Sequence, residues 1–197
     1  MNKIIPGQSR PTRIQRIANA VASRIGWRVE VKSPVYKKCV IIGAHHTSGT
    51  DFLAMLLLTT TLGVKFHWVA KDTFFWGPMG WFTRSLGGIP VNRQKRTDFV
   101  ERMATMFRER NVLRLAIIPE GTRRKAVYWK TGFYYIALAA NVPIVMGFAD
   151  YKRKTVGLGP SLIPTGDIQA DMQVIREFYT NVTGRYPHQQ SEIRIRE

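Results

Sequence analysis

Short, β-branched apolar runs alternate along the chain with segments of helical length, and this alternation is what most limits the fold. The runs that we expect to be strands are 39–44, 65–70, 88–91, 113–118 and 143–149. The segments of helical length and period that lie between them are 51–62, 97–110 and 130–140. Such alternation predicts an α/β domain, a single layered unit with a largely parallel central sheet flanked by helices.

Polar residues follow most of these runs directly, at the points where the strands are expected to end. They are His45, His46 and Asp51 after the first run, Lys71 after the second, Arg93 after the third, and Glu120, Thr122 and Arg123 after the fourth. In open α/β sheets, ligands bind in the crevice beyond the carboxyl ends of the strands. We therefore expect these residues to line one cleft.

The N-terminal segment, 1–35, has a pattern of its own. Apolar residues recur at helical spacing between 14 and 25, and arginines stand at positions 10, 13, 16, 24 and 28. We predict a basic amphipathic helical segment over 1–35 and the α/β domain over 36–197, in one globular unit. A helix of this kind can lie in the headgroup region of an anionic bilayer or can pack its apolar face on the domain. The sequence leaves both alternatives open.

The charge of the chain is strongly positive, with 30 Lys and Arg against 13 Asp and Glu, a formal net charge of +17. Such a charge attracts phosphate-rich partners, which include nucleic acids, anionic membranes and small acidic substrates. The sequence contains neither an aromatic-glycine RNA-binding consensus nor paired metal-ligand cysteines. We therefore expect an anionic membrane surface as a partner and no nucleic acid.

The cysteine content and the hydropathy of the sequence indicate in which cellular compartment the protein is expected. The single cysteine, Cys39, lies in an apolar run and is predicted to be a half-buried strand thiol rather than a nucleophile. Residues 1–13 lack the apolar core of a signal peptide. The longest apolar stretch, 52–64, is shorter than the roughly 20 residues of a spanning helix. These features predict a cytoplasmic protein that does not cross the membrane.

His46 and Asp51 have the spacing and the placement of a general base and its partner. His46 follows the end of the first predicted strand. Asp51 is expected in the first turn of the next helix, which Thr47 or Ser48 would cap. A carboxylate on one ring nitrogen fixes the tautomer of histidine and stabilises the imidazolium, so the other nitrogen can accept a proton from an alcohol. The alternatives are a structural histidine and a carboxylate that only complements the helix dipole.

Two other chemistries at this junction are less favoured. A metal site built from His45, His46 and Asp51 is disfavoured because neighbours on a strand point to opposite faces and no HExxH motif is present, so we predict no metal. Ser48 lies in HTSGT, which is not the GxSxG turn of a serine nucleophile.

The stretch IIPEGTRRK, 117–125, predicts a second polar cluster. Gly121 permits a tight turn that brings the backbone close to a ligand, and arginine suits phosphate because it can donate two parallel hydrogen bonds. We assign function to Glu120, Arg123 and, after GGIPV, Arg93. Arg124 is predicted to be solvated surface.

Four blocks, in order from about 40 to 148, resemble the glycerolipid acyltransferase family, which includes bacterial 1-acylglycerol-3-phosphate acyltransferases. They are HHTSGTD, AKDTFFWGPMGWFTRSLGGIPVNR, IPEGTRR and VPIV. The resemblance implies transfer of an acyl group from acyl-CoA or acyl carrier protein to a hydroxyl of a lysophospholipid, with no cofactor beyond that co-substrate. It implies His46 as base and Asp51 as its orienting partner. The substrate-binding residues that it implies are Lys71, Arg93, Glu120, Gly121, Thr122 and Arg123.

Three departures from the family pattern leave the acceptor open: His45 where asparagine is common, Arg124 where serine is common, and Met146 where proline is frequent. A lysolipid acceptor would place the protein at the inner face of the membrane. The aromatic segment 74–82 could sit at that interface or in the core. Two further hypotheses are a non-catalytic membrane-binding protein that retains the fold, and a lipid or thioester hydrolase that uses the same histidine and aspartate.

Overall fold

A central sheet with helices on both faces organises the computed structural model, which describes residues 3–4, 11–91 and 97–196; residues 3, 4, 97 and 98 are described by their backbone alone. The strands are β1 (Lys3–Ile4), β2 (Arg28–Val31), β3 (Val35–Tyr36), β4 (Lys38–Gly43), β5 (His67–Lys71), β6 (Gly88–Val91), β7 (Leu113–Ile117), β8 (Ile144–Asp150) and β9 (Thr155–Leu162). The α-helices are α1 (Arg13–Arg24), α2 (Thr50–Leu62), α3 (Gly77–Ser85), α4 (Thr97–Glu109), α5 (Gly132–Ala140) and α6 (Ile168–Tyr179).

The sheet has seven strands in the order β2-β9-β8-β4-β7-β5-β6. Neighbouring strands are parallel except for β8 and β9, which are joined by a tight turn and run antiparallel. β1 and β3 form a small separate antiparallel ribbon. The predicted α/β domain with a largely parallel sheet is confirmed.

Strand β4 lies in the middle of the sheet, and its side chains alternate between two cores. Val40 and Ile42 belong to the core that is covered by α4, α5 and α6. Cys39 and Ile41 belong to the core on the opposite face, which α2 covers. Because both faces of β4 are buried, its sequence is an unbroken run of apolar residues and does not alternate between apolar and polar residues.

Most of the predicted elements are present. The predicted helices correspond to α2, α4 and α5 with ends shifted by one or two residues, and the five predicted strands correspond to β4 to β8. Helices α3 and α6 were not predicted. Helix α6 had a readable signal, since Asp167 caps its first turn and Met172, Ile175 and Tyr179 are buried at helical spacing.

Within the N-terminal segment, 1–35, the described residues are helical over α1. Thr12 and Gln15 form a reciprocal capping box at the start of this helix. Arg28–Val31, which lies inside the predicted helical segment, is an edge strand of the main sheet and pairs in parallel with β9. Val29 and Val31 pack against the core beside α2, and this alternation favours a strand.

The structure corrects the expectation for Cys39. Cys39 is fully buried, at 2% exposure, and not half-buried. Burial raises the pKa of its thiol to about 12, although Arg114 acts in the opposite direction. Within 11–91 and 97–196, no helix combines the length and the apolar composition that a bilayer-spanning segment needs.

His67 makes the stability of the fold depend on pH. Burial lowers the pKa of His67, and the charges of Arg110, Lys65 and Arg114 act in the same direction. The unfolded chain therefore takes up a proton near pH 6.5 that the folded protein resists. We expect the free energy of unfolding to fall as the pH is lowered through about 6.5, and we expect His67→Gln to weaken that dependence. Urea denaturation at pH 8 and pH 5.5 measures both.

The control for this prediction is His188→Gln, because His188 is exposed near the C-terminus. That variant should keep the wild-type dependence on pH. Equal dependence in the wild type and in His67→Gln would contradict the assignment.

Candidate active site

His46 and Asp51 contact each other at the carboxyl end of β4. His46 Nδ1 lies 2.9 Å from Asp51 Oδ2, and the side chains are 23% and 13% exposed. The loop between them is short, so little chain entropy opposes the contact. With Nδ1 occupied by a carboxylate, Nε2 is the nitrogen that can accept a proton from a substrate.

The carboxylate of Asp51 also organises the loop. Besides His46, Oδ2 accepts hydrogen bonds from the backbone N–H groups of Thr47 (3.1 Å) and Ser48 (3.0 Å). Asp51 lies in the first turn of α2, as predicted. Its side chain thus folds back onto the residues that connect β4 to the helix and fixes the imidazole relative to the helix start.

The start of α2 differs from the expected cap. Gly49, rather than Thr47 or Ser48, is the N-cap residue. Ser48 Oγ instead accepts a hydrogen bond from the Thr50 N–H (3.2 Å), and Thr47 Oγ1 accepts one from the N–H of Tyr186 (3.1 Å). Both hydroxyls therefore brace the loop, and Gly49 leaves the helix end uncovered by a side chain.

Glu120 stabilises this loop through a hydrogen bond to its backbone. Its side chain is only 2% exposed, and Oε2 accepts a hydrogen bond from the backbone N–H of His46 at 2.8 Å. Oε1 lies 3.6 Å from Nδ1 of the buried His45, beyond hydrogen-bond distance. The two predicted clusters therefore meet, although Glu120 contacts the loop of the first cluster and faces away from solvent. Its predicted role in binding substrate remains a prediction.

Gly121 follows Glu120 with a positive φ of 64°, a conformation that glycine adopts without strain. A Cβ at this position would lie 2.7 Å from Lys130 Nζ. The positive φ favours glycine at this turn, whereas the flexible end of the lysine side chain could move aside.

A cleft of about 390 Å³ opens beside His46 and Asp51, which together are called the dyad below. It is lined by Thr47, Ser48, Gly49, Thr122, Arg123, Arg124, Tyr186 and Gln189. The guanidinium of Arg123 lies close to the start of α2, since a Cβ on Gly49 would be 3.4 Å from its Nη1. Guanidinium groups beside a helix N-terminus favour an anion in this cleft.

Three lining residues were missed by the sequence reasoning. Arg124, predicted to be solvated surface, is exposed but lies along the cleft. Tyr186 and Gln189 come from the C-terminal segment, whose only local signal is a Pro-containing 3-10 turn, Pro187–Gln189. Their place in the wall depends on contacts between residues far apart in sequence, such as the bond from Tyr186 to Thr47.

Two predicted substrate-binding residues lie elsewhere. Lys71 is exposed at the carboxyl end of β5, two strands away from β4, and does not line the cleft among the described residues. Arg93 lies outside the described residues. Of the residues expected to line one cleft, Thr122 and Arg123 do so, whereas His46 and Asp51 adjoin its lining residues and Glu120 is buried.

Tyr151 is a further neighbour of the dyad that the sequence did not indicate. It follows β8, and its hydroxyl donates to Asp51 Oδ1 at 2.8 Å. Burial raises the pKa of Tyr151 to about 12, and the bond to Asp51 acts in the same direction while the bond to Thr50 opposes it. The hydroxyl therefore remains protonated and a donor at neutral pH.

A parallel α/β sheet whose central strand ends in a histidine–carboxylate pair, beside a cleft with arginines, is suited to general-base chemistry on an anionic substrate. Comparison with known proteins agrees with this class. The family model described as Acyltransferase matches residues 26–146, more than half of the chain. The chain belongs to the acyltransferase family.

Two individual proteins of known function are similar to this chain. Human 1-acyl-sn-glycerol-3-phosphate acyltransferase beta is 34% identical over 131 residues, covering 61% of this chain and 45% of the relative. The 1-acyl-sn-glycerol-3-phosphate acyltransferase of Escherichia coli (strain K12) is 29% identical over 136 residues, covering 64% and 54%. The chain thus spans about half the length of these relatives.

A solved structure supports the fold. The crystal structure of the 1-acyl-sn-glycerophosphate (LPA) acyltransferase PlsC from Thermotoga maritima superimposes with a TM-score of 0.60. The match covers 88% of this chain and 79% of that one at 16% identity. At this identity the likeness concerns the fold alone.

The contact between Glu120 and His46 predicts a loss of stability in Glu120→Ala. The variant leaves the His46 N–H without its acceptor, which should lower the free energy of unfolding by about 1–3 kcal/mol. Urea denaturation measures the change. Glu192→Ala is the matched control, because the Glu192 side chain is 70% exposed, and it should lie within about 0.5 kcal/mol of the wild type. Wild-type stability in Glu120→Ala would contradict the supporting role.

Proposed function

We propose that this chain transfers a fatty acyl group from an acyl thioester to a hydroxyl of a lysophospholipid such as 1-acylglycerol-3-phosphate, with His46 as general base. The observation that carries the proposal is the 2.9 Å contact between His46 Nδ1 and Asp51 Oδ2 at the edge of the cleft. The names of the relatives, which act as 1-acyl-sn-glycerol-3-phosphate acyltransferases, support the same reaction.

The proposed chemistry needs one proton acceptor. His46 Nε2 takes the proton of the acceptor hydroxyl as its oxygen attacks the thioester carbonyl carbon. The tetrahedral intermediate then collapses, the carbon–sulfur bond breaks, and the imidazolium returns its proton to the thiolate. Asp51 holds the tautomer and stabilises the imidazolium between the two steps.

The acceptor's phosphate fits the arginine side of the cleft. Arg123 and Arg124 supply guanidinium groups there, and the N-terminus of α2 adds a favourable dipole. We place the headgroup of the acceptor against these groups, with its free hydroxyl toward His46. Glu120 and Gly121 shape this wall through the loop and the turn, and Thr122 and Arg123 face the cleft.

The donor is proposed to be acyl-CoA or acyl carrier protein. Both carry the acyl group as an activated thioester, so no serine or cysteine nucleophile and no further cofactor is required by the reaction. The net charge of +17 favours either carrier, because CoA is rich in phosphate and carrier proteins are acidic.

An apolar surface supports docking to a lipid bilayer. In α1, Ala18 and Ala22 are buried, and the larger apolar side chains of the helix are exposed: Ile14, Ile17, Val21 and Ile25. Arg13, Arg16 and Arg24 are exposed on the same helix. Exposed isoleucines and arginines on one helix suit the interface of an anionic bilayer.

The aromatic segment gives a second exposed group. Phe75 is buried, whereas Trp76 and Trp81 are 80% and 75% exposed, and Phe74, Met79 and Phe82 are exposed too. A Cβ at Gly80 would overlap the Phe75 carbonyl oxygen, so glycine allows α3 to pack closely on the preceding turn. We propose that α1 and α3 dock the protein peripherally on the inner face of the membrane.

The catalytic assignment predicts that His46→Ala abolishes acyl transfer. Loss of a general base should lower the rate of thiol release from acyl-CoA, with 1-acylglycerol-3-phosphate as acceptor, by about 10²–10⁴-fold. A thiol-reactive dye measures the released CoA. Cys39 does not interfere, because it is buried and its pKa is about 12.

The controls separate the reaction from its alternatives. His46→Ala should keep the wild-type unfolding midpoint and vesicle binding, since His46 lies apart from the docking surface. Unchanged turnover in this variant would rule out the mechanism. Release of fatty acid without an acceptor would favour a hydrolase, and vesicle binding without thiol release from any donor would favour a non-catalytic membrane protein.

The docking surface predicts that a Trp76→Ala, Trp81→Ala double variant binds vesicles containing anionic phospholipid at least about tenfold more weakly, because two interfacial side chains are lost. Co-sedimentation measures the partition coefficient. Binding should also weaken as salt is raised, since screening reduces the attraction of the arginines. Tyr135→Ala is the matched control, an exposed aromatic residue on α5 across the sheet, and should bind as the wild type does. Equal loss in both would contradict the assigned surface.

A further inference from the structure

The hydroxyl of Tyr151 lies between the side chains of Thr50 and Asp51. It donates to Asp51 Oδ1 at 2.8 Å, and this direction is fixed because an ionised carboxylate has no proton to give. The Thr50 hydroxyl oxygen lies 2.8 Å from the Tyr151 oxygen, and Thr50 Oγ1 is also within 2.9 Å of Ser48 Oγ, to which it can donate. Tyr151 therefore contacts both of the first two residues of α2.

The two oxygens of Asp51 have separate partners. Oδ2 accepts from His46 and from the backbone of the loop, all within residues 46 to 48. Oδ1 accepts a hydrogen bond from Tyr151, which is 100 positions away in the sequence. Contacts to Oδ2 alone leave the carboxylate free to rotate about that oxygen. The bond to Oδ1 fixes the plane of the carboxylate and with it the direction of the His46 ring.

Tyr151 is itself held on several sides. Its ring packs edge-on against Trp27 at 5.0 Å between centroids, and the guanidinium of Arg185 lies 5.9 Å from the ring centroid. Its backbone N–H donates to the carbonyl of Thr183 at 2.9 Å. A side chain fixed in this way can transmit position to Asp51, because its own rotamer is restrained by packing.

We propose that Tyr151 is a positioning residue for the reaction proposed above, on which this inference rests: its hydroxyl holds Asp51 so that His46 Nε2 faces the bound acceptor. Tyr151 lies beyond residues 26–146, which match the family model. Tyr151 is not among the residues that line the cleft, and it acts through Asp51.

Tyr151→Phe tests the inference, because it removes the hydroxyl and keeps the ring against Trp27. With acyl-CoA and 1-acylglycerol-3-phosphate, we expect kcat to fall roughly tenfold, as for the loss of one hydrogen bond to a charged group, while KM for both substrates stays within about twofold. Wild-type kcat, or a rise in KM with kcat unchanged, would overturn the inference.

Tyr36→Phe is the matched control. Its hydroxyl also makes a partly buried hydrogen bond, 2.9 Å from Ser161 Oγ, but on a different part of the sheet. Both variants should have similar unfolding midpoints, and Tyr36→Phe should keep wild-type kcat. An equal loss of kcat in the two variants would assign the effect to stability and would overturn the positioning role.

A double-mutant comparison tests whether Tyr151 acts through Asp51. In an Asp51→Asn background, Tyr151→Phe should change the residual kcat by less than about twofold, because the carboxylate that it positions is gone. A further tenfold loss would mean that Tyr151 acts independently and would overturn the inference. Wild-type protein without turnover overturns the proposed function, and the inference with it. An active wild type with an equally active Tyr151→Phe overturns the inference alone.

Discussion

The hydrogen bonds that Asp51 accepts are the interaction on which the rest of the site depends. A single carboxylate oxygen binds the imidazole of His46 and two backbone N–H groups of the loop. The same group thus closes the loop, complements the dipole of α2 and sets the tautomer of the histidine. Because these tasks share one side chain, the shape of the loop and its chemistry cannot be changed separately.

The central position of β4 explains how this loop is supported from both sides. Its neighbours in the sheet are β7 and β8, which run parallel to it and end at the same edge. The connection after β7 supplies Glu120, which accepts from the backbone of His46, and the turn after β8 supplies Tyr151, which donates to Asp51. An edge strand would have one such neighbour. A buried central strand has two, so each member of the pair has its own support.

Contacts close in sequence were predictable, and those made across the fold were not. The apolar runs and helical periods located β4, β6 and α2, because local pattern determines them. His46 and Asp51 are only five positions apart, so their meeting followed from a strand end and a helix start. Tyr151 is a hundred positions from Asp51, and nothing in DYKRKTVGL distinguishes it from an ordinary turn residue.

The residues that form the cleft wall and the exposed aromatic surface could not be predicted from the sequence, for two different reasons. Tyr186 reaches Thr47 across 139 positions, so its place depends on the course of the whole C-terminal segment. For the aromatic segment, composition could not decide between core and surface, because tryptophan suits both. In the structure Gly80 allows α3 to approach the Phe75 backbone, Phe75 is buried, and Trp76 and Trp81 are exposed.

Helix α1, which carries exposed apolar side chains, also contacts α2, the helix that carries Asp51. Helix α1 packs through Ala18 and Ala22, and Gln15 donates to the carbonyl of Thr61 in α2, the helix whose first turn holds Asp51. Just after α1, Trp27 packs against Tyr151. Through these contacts the position of α1 is linked to that of His46 and Asp51, so a bilayer that oriented α1, as proposed, would also orient His46. For an acceptor whose chain stays in the lipid, a base in fixed orientation to that surface is what proximity catalysis requires.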